Sequence, residues 1–594
     1  MEEKLRCDVE NKYKWDLDRI YKTEEEINND IELVKEKSND ILKYKGRLCE
    51  SSNTLCAAIK LYYEITRTLD KLVVYSNMKY HEDMSLSRSK ITVSKIDKLN
   101  DEVAAKLSFF SPEILKEDKS LIDKFISENE ELKTYKFTLD DLFTEKPYIL
   151  SEEKESMMAR LGEVFNNPTD IYETLDAVDV SFKDFEVDGK TYPLNQSNYT
   201  VYLRDNNRKI REKAFHNFYE TYDNLKNTFA GIFYGNVKTN FFISNERGYK
   251  SPLDMYLKGE NISEDIYNKL INKVNERINI SHKYIDLRKK VLNLDELHMY
   301  DIYVPLVDLN KKYTFEDSLE IVKEALKPLG ETYIKDLNDL INSNCIDVYH
   351  NKNKQTGAYS WGSYDTLPYV LLNFEGTFND VSTIAHELGH SMHSYYSKKN
   401  NPYQNSQYTI FLAEIASTVN EILLNKYMFN NSTTKEEKQF YLNNLLEMLR
   451  TTLIRQTMFA EFEKDMYEKE ASGTILTEEE ISNTYLELNK KYYGEGIISD
   501  DEIRLEWARI SHFYKGFYVY KYATGISIAC RIVNDILENK EGALDNYIKL
   551  LSSGGSDYSL NLLKLVDIDI ASDDTIDKAL DLFDETIDEF LKNL

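Results

Sequence analysis

Glycine and proline are scarce: 20 glycines and 9 prolines stand among 594 residues, less than half the roughly 12% that the two supply in an average protein. So few turn-formers exclude an architecture of many short strands and predict long helices in a mainly α protein. Cysteine is scarcer still. Cys7, Cys49, Cys56, Cys345 and Cys530 are odd in number and scattered, which excludes a disulfide framework and reads as reduced thiols. No apolar run approaches the ~18 residues of a membrane span, and the opening "MEEKLRCDVENKYKWDLDRIY" lacks the apolar stretch of a secretory signal. A cytoplasmic location is expected. Positive charge is in deficit, 75 Lys and Arg against 103 Asp and Glu for a net charge of -28. That charge repels nucleic-acid phosphates and anionic lipid, so neither is an expected partner; oligomeric state is not encoded at this level.

What is present is length, amphipathic pattern and tyrosine. A chain of 594 residues exceeds what one core supports, so at least two lobes are expected. From about Leu17 to Val164, apolar residues recur at three and four among charged ones, as in "LCAAIKLYYEITRTLDKLVVYSNMKY". "FKDFEVDGKTYPL" alternates around Asp188-Gly189 and predicts a β-hairpin. A boundary is placed after it, giving an N-terminal helical domain over 1–195 and a second domain over 196–594. Pro368 followed by the apolar run Tyr369 to Phe374 predicts an edge or near-edge strand. At the end of the chain, Ile576, Leu580, Phe583, Ile587 and Leu591 form one stripe of a helix that Ser572 or Asp573 would cap.

Histidine is rare as well, nine in all, yet three fall within "STIAHELGHSMHSYY", residues 382–396. Val381, Ile384, Leu388, Met392 and Tyr395 make a buried stripe, with Asn379 or Asp380 as the expected cap. His386 and His390, four apart, then share another face of the helix, where both imidazoles reach one tetrahedral zinc. Glu387 sits beside the first, placed to hold the metal's water. A chain of this composition contains His-Glu-x-x-His by chance on the order of 0.01 times. A catalytic zinc keeps three protein ligands. His393 shares the face but stands a further turn along; Glu414, in "FLAEIASTVNE" on a second periodic helix, is the better third ligand. Ser417 and Glu421 follow on the same face as Glu414 and are expected to hydrogen-bond the outer histidine nitrogens or to face substrate. Such a site hydrolyses amides, with Glu387 as general base. The oxyanion formed needs a further donor, and "SHFYKGFYVYKYATG" gathers His512, Tyr514, Tyr518, Tyr520 and Tyr522, with Gly516 as a loosening point.

These residues resemble the oligoendopeptidase F branch of the thimet oligopeptidase-like zinc metallopeptidases. The resemblance rests on "HELGHSMH", on "FLAEIASTVNE" after it, on "GAYSWG" and "PYVLLNF" before it, on "ISHFYKGFYVYKYATG" and "LSSGGSDYSLNLL" later, and on the N-terminal "KWDLDRIY". It implies two helical lobes flanking a deep substrate channel with a small β-sheet near the zinc, and an endopeptidase acting on short unstructured peptides. It implies one zinc per chain on His386, His390 and Glu414, with Glu387 as base. His512 and Tyr522 would stabilise the transition state, Tyr518 and Tyr520 standing as alternatives. His393 would lie behind the ligands or face substrate, and Gly357, Ala358 and Tyr359 would bind substrate backbone. Two other readings of the residues are a zinc carboxypeptidase using an arginine such as Arg509, and a peptide-binding protein without catalysis; the intact Glu387 weighs against the second.

Overall fold

The computed structural model describes residues 4–572 and 574–594, and helices carry most of them, as the shortage of turn-formers predicts. The chain divides into two compact units of three segments each. The first collects 4–147, Lys311–Leu424 and Ile532–Asp567; the second collects Tyr148–Asn310, Asn425–Arg531 and Ile568–Leu594. Five short strands are described. β1 (Phe185–Val187) and β2 (Lys190–Tyr192) pair as a hairpin in the second unit. β3 (Ile346–Asp347), β4 (Tyr359–Trp361) and β5 (Tyr369–Leu371) form a sheet in the first.

The first unit opens with helices Glu24–Asp40, Ser52–His81 and Ser87–Leu107, which pack on one another. Thr23 and Ser51 accept the amide hydrogens of Glu26 and Thr54, caps worth about 1 kcal/mol each. The apolar spacing does the rest: Ile31, Val34, Leu55, Ile65, Leu72, Ile96 and Val103 meet in one buried cluster. In the sheet, β5 lies between β3, parallel to it, and β4, antiparallel to it. The strand expected at or near an edge is the central one of three and is fully buried. Pro368 is tolerated because it stands before the first pairing residue, where no ladder donor is needed. Residues 4–16 run beside β3: Lys352 and Val348 donate amide hydrogens to the Lys4 and Tyr13 carbonyls, Asp16 donates to Asn344, and Arg6 pairs with the buried Asp347. β4 is the other flank of this sheet.

Helix Phe378–Asn400 follows β5 and packs on β4 and β5. Its cap is Thr377, two to three residues earlier than expected. Thr377 and Asp380 exchange hydrogen bonds in a capping box, so Asp380 is the reciprocal partner rather than the cap.

In the second unit, Asp188 (φ +50°) and Gly189 (φ +80°) make the two-residue turn of the hairpin, the left-handed pair that Asp-Gly accommodates. The hairpin packs on the 40-residue helix Arg208–Arg247. The last helix, Thr575–Lys592, buries Ile576, Leu580, Phe583 and Ile587 as expected, while Leu591 is half-buried. Its start is Asp574, and the Ser572 hydroxyl donates to Asp569 instead of capping; Asp573 lies outside the described residues.

Candidate active site

The site begins with two helices crossing at very short range. A Cβ on Gly389 would lie 2.6 Å from Ser417 Cα and 2.7 Å from the Ala416 carbonyl oxygen, so hydrogen alone lets helix Ile410–Asn430 approach helix Phe378–Asn400 this closely. That approach brings Glu414 to the histidines. Asn420 fastens the same contact by donating to the Ala385 carbonyl at 2.9 Å.

His386 Nε2 and His390 Nε2 are 3.2 Å apart, and Glu414 Oε2 lies 3.6 Å from the first and 3.8 Å from the second. Tetrahedral ligands 2.0–2.1 Å from a zinc are separated by about 3.3–3.4 Å, so this triangle has the size that a single ion requires. Among the described residues, these three form the one such group of His, Cys, Asp or Glu donors. The donor set, two imidazoles and a carboxylate, fits zinc chemically and leaves a fourth position open.

The outer nitrogens are held too. His386 Nδ1 meets Glu421 Oε1 at 2.5 Å, which turns Nε2 toward the cluster. Burial pushes the His386 imidazolium down, but Glu421, with Glu387 and Glu414, outweighs it and lifts the group to about 9. The His390 ring bonds the Ala413 backbone carbonyl, and burial, with His386 adjacent, drives it down to about 3. Ser417 does not reach a histidine. Its hydroxyl bonds the Glu414 carbonyl at 3.0 Å and Glu414 Oε2 at 3.4 Å, since it stands one turn after Glu414 on the same helix.

Glu387 is 7% exposed. Burial raises its carboxyl to about 7, opposed by His386 and reinforced by Glu414 and Glu421, and it accepts a bond from the Ser360 backbone. Ser360 belongs to β4, so the strand and this carboxylate are fixed to each other; the Ser360 and Ser391 hydroxyls, 2.8 Å apart, secure the same joint. Gly357, at φ +80°, accepts through its carbonyl from Asn373; Ala358 follows, and the Tyr359 hydroxyl meets His81 Nδ1 at 2.8 Å. His393 is apart from the donor triangle. It is 2% exposed, stacked on Tyr408 with ring centroids 3.5 Å apart, its Nδ1 has no partner, and burial lowers it to about 3.

His512 and the tyrosines belong to the second unit. His512 lies in the short 3-10 turn Ser511–Tyr514. The Tyr522 hydroxyl is 3.5 Å from His512 Nε2, and the Tyr518 ring lies 6.0 Å from the His512 ring and 5.4 Å from that of Tyr522. Tyr520 faces the core, 1% exposed and 5.1 Å from the Tyr267 ring. Arg509 is engaged elsewhere, paired with Glu506 at 2.9 Å and lying against the Tyr199 and Phe218 rings.

Sequence spacing located the three donors and Glu387. It did not locate the Ala413 carbonyl or the Ser360 backbone group, because main-chain atoms carry no residue signature, nor Tyr408, whose partner His393 is distinguished only by the fold.

Comparison with known proteins gives a consistent result. A family model described as peptidase family M3 matches residues 201–582, and one described as oligopeptidase F matches residues 113–182. A protein named oligopeptidase PepF, from Bacillus subtilis, is 38% identical over 98% of this chain and 88% of its own length. An oligoendopeptidase F homolog from Borreliella burgdorferi is 37% identical over 99% of each. The crystal structure of oligoendopeptidase-F from Enterococcus faecium superposes with a TM-score of 0.75 at 30% identity, covering 96% of this chain and 99% of that one.

Proposed function

The chain belongs to peptidase family M3, and from that membership we propose that this metalloendopeptidase is a zinc enzyme cleaving internal bonds of short unstructured peptides. The observation that carries the reading is the triangle of His386, His390 and Glu414 donors with Glu387 buried beside it. The division at 195 is proposed as one between the two family-matched spans of the sequence; it falls inside the Tyr148–Asn310 segment of the second compact unit and so does not separate the compact units.

His386, His390 and Glu414 would hold one zinc, which when bound would supply Lewis acidity for activating water and polarising the scissile carbonyl. Glu387 accepts the proton of the attacking water as the new C–O bond forms, then delivers it to the amine nitrogen as the C–N bond breaks. Glu421 and the Ala413 carbonyl keep the two imidazoles oriented, and Ser417 steadies Glu414. The substrate adds to β4 as an extended strand, with Gly357, Ala358 and Tyr359 offering main-chain groups and side-chain pockets left permissive. His512 and Tyr522 act as donors to the developing oxyanion, a role carried by the family resemblance and supported by their mutual contact. Tyr518 stands against both and supports their orientation, Tyr520 belongs to the core, and His393 backs the ligand helix through Tyr408. The sequence further supports a cytoplasmic enzyme; among the described residues, no helix is long and apolar enough to cross a membrane.

Mass spectrometry of a mixed peptide set incubated with zinc-loaded protein tests the reading, with Glu387→Gln alongside. Internal cuts by the wild type, unchanged zinc content in the variant and a turnover reduced by several orders of magnitude are expected. Release of single terminal residues would point to an exopeptidase, and near-normal turnover by the variant would remove Glu387 as the base.

A further inference from the structure

Glu463 is the most deeply buried acid near the His512 segment that the mechanism leaves without a task. It lies on helix Arg455–Ala471 and is 0% exposed. Its Oε1 accepts the Phe517 amide hydrogen at 2.7 Å, and its Oε2 is buried without a partner. A carboxyl group in such surroundings is costly to ionise, so its retention there calls for a reason.

The bond it makes ends on an unusual turn. Gly516 and Phe517 both have left-handed backbone conformations, φ +42° and +48°. For a bulky aromatic residue, that conformation is strained and persists only where the surroundings enforce it. Three features enforce it here. The Phe517 ring is buried 4.8 Å from the Tyr467 ring and 5.8 Å from the Tyr267 ring. The Tyr256 ring fills the space that a Cβ on Gly516 would take. The Phe517 amide is fixed by Glu463. Since His512 precedes this turn by four residues and Tyr522 follows it by five, the turn decides whether their side chains meet, as they do at 3.5 Å.

We propose that Glu463 is a positioning residue of the peptidase reaction, holding the Gly516–Phe517 turn so that His512 and Tyr522 are presented together. This rests on the reading of those two residues as oxyanion donors. Glu463 does so in its neutral form. Burial raises its carboxyl to about 8, the Phe517 amide opposing only in part. The titratable groups facing it are Tyr256, Tyr267 and Tyr467 from three helices, all themselves raised by burial and uncharged at neutral pH. Above about pH 8 the acid ionises with no cation to meet it. The irregular 511–520 segment is then the part of its surroundings that yields most readily to admit water.

The test compares Glu463→Met, which fills the volume but offers no acceptor, with Glu463→Gln, whose amide oxygen still accepts the Phe517 hydrogen. Steady-state kinetics on an unstructured peptide should give Glu463→Met a kcat lower by about 10- to 100-fold with KM changed less than about twofold. Amide exchange should be faster across 511–520 than elsewhere. Glu463→Gln should recover most of kcat and lack the fall in kcat expected of the wild type above about pH 8. A Glu463→Met enzyme with wild-type kcat overturns the proposal, as do equal losses in both variants. Should Glu463→Met fail to fold, the alkaline limbs decide, and coincident limbs for wild type and Glu463→Gln overturn it. Tyr522→Phe is measured in parallel. An inert Tyr522→Phe removes the donor reading and the positioning role with it, whereas an impaired Tyr522→Phe beside an unimpaired Glu463→Met removes the positioning role alone.

Discussion

Removing Glu414 and removing His393 should affect metal content differently. Glu414→Ala deletes one donor of the triangle, so zinc retained after dialysis, measured by elemental analysis, falls well below one per chain. His393→Ala leaves a void against Tyr408 and lowers Tm while zinc stays near the wild-type level; equal retention in the two would contradict the ligand assignment. Glu421→Ala, which frees His386 Nδ1, should weaken zinc binding by about 10- to 100-fold in a chelator competition. The residues with the strongest sequence signal were those whose spacing serves one function: the two histidines four apart and the glutamate beside the first. Ser417 does lie behind the donor triangle as expected, but it bonds Glu414 rather than a histidine, because one helical turn from Glu414 its hydroxyl finds that residue first. The choice among tyrosines follows from where the helix starts. With Tyr520 at its first position, Tyr520 and Tyr522 are about 200° apart around the axis, so only one of them can face His512.

At the scale of elements, the close crossing at Gly389 is the contact on which the donors depend. A methyl group there meets backbone atoms of the partner helix, which cannot swing aside as a side chain can. Gly389→Ala should therefore push the two helices apart at a cost of about 1–3 kcal/mol and weaken zinc binding, because Glu414 and Glu421 ride on the displaced helix. Scanning calorimetry with and without zinc, together with a zinc affinity measurement, checks this; lowered stability with unchanged affinity would show that the triangle does not depend on the crossing. Helices and their buried stripes were legible from three- and four-residue spacing, and the β1–β2 hairpin from Asp188-Gly189. The rank of β5 within its sheet was not, because an apolar run reports burial rather than neighbours. The Thr377 cap was missed for a related reason: the capping box that selects it depends on a reciprocal bond from Asp380.

For the molecule as a whole, two arginine–glutamate clusters of the second unit should govern acid stability. Glu447 is paired with Arg288 and Arg450 at 3.0 and 2.7 Å, and Glu506 with Arg455 and Arg509 at 2.7 and 2.9 Å. Burial opposes ionisation in both, but the arginines outweigh it and hold each carboxyl down at about 2. A depressed carboxyl stabilises the fold above its unfolded value of about 4.3, and that contribution drains away as pH falls from there toward 2. Thermal melts should show Tm dropping across this window, and Glu506→Gln should start lower and fall less steeply; an equally steep slope in the variant would place the acid sensitivity elsewhere. The segment beside β3 carries a further consequence, one of timing. Arg6 and Asp347 are 341 positions apart, and at about 5–20 residues per second a ribosome needs roughly 20 s to over a minute to add the second after the first. For that interval Tyr13 and Trp15 emerge without the surface they will cover, exposed to chaperones. When residues 344–371 do appear, the lining of their sheet is already made, so helix Phe378–Asn400 emerges onto a sheet whose β3 flank can close at once.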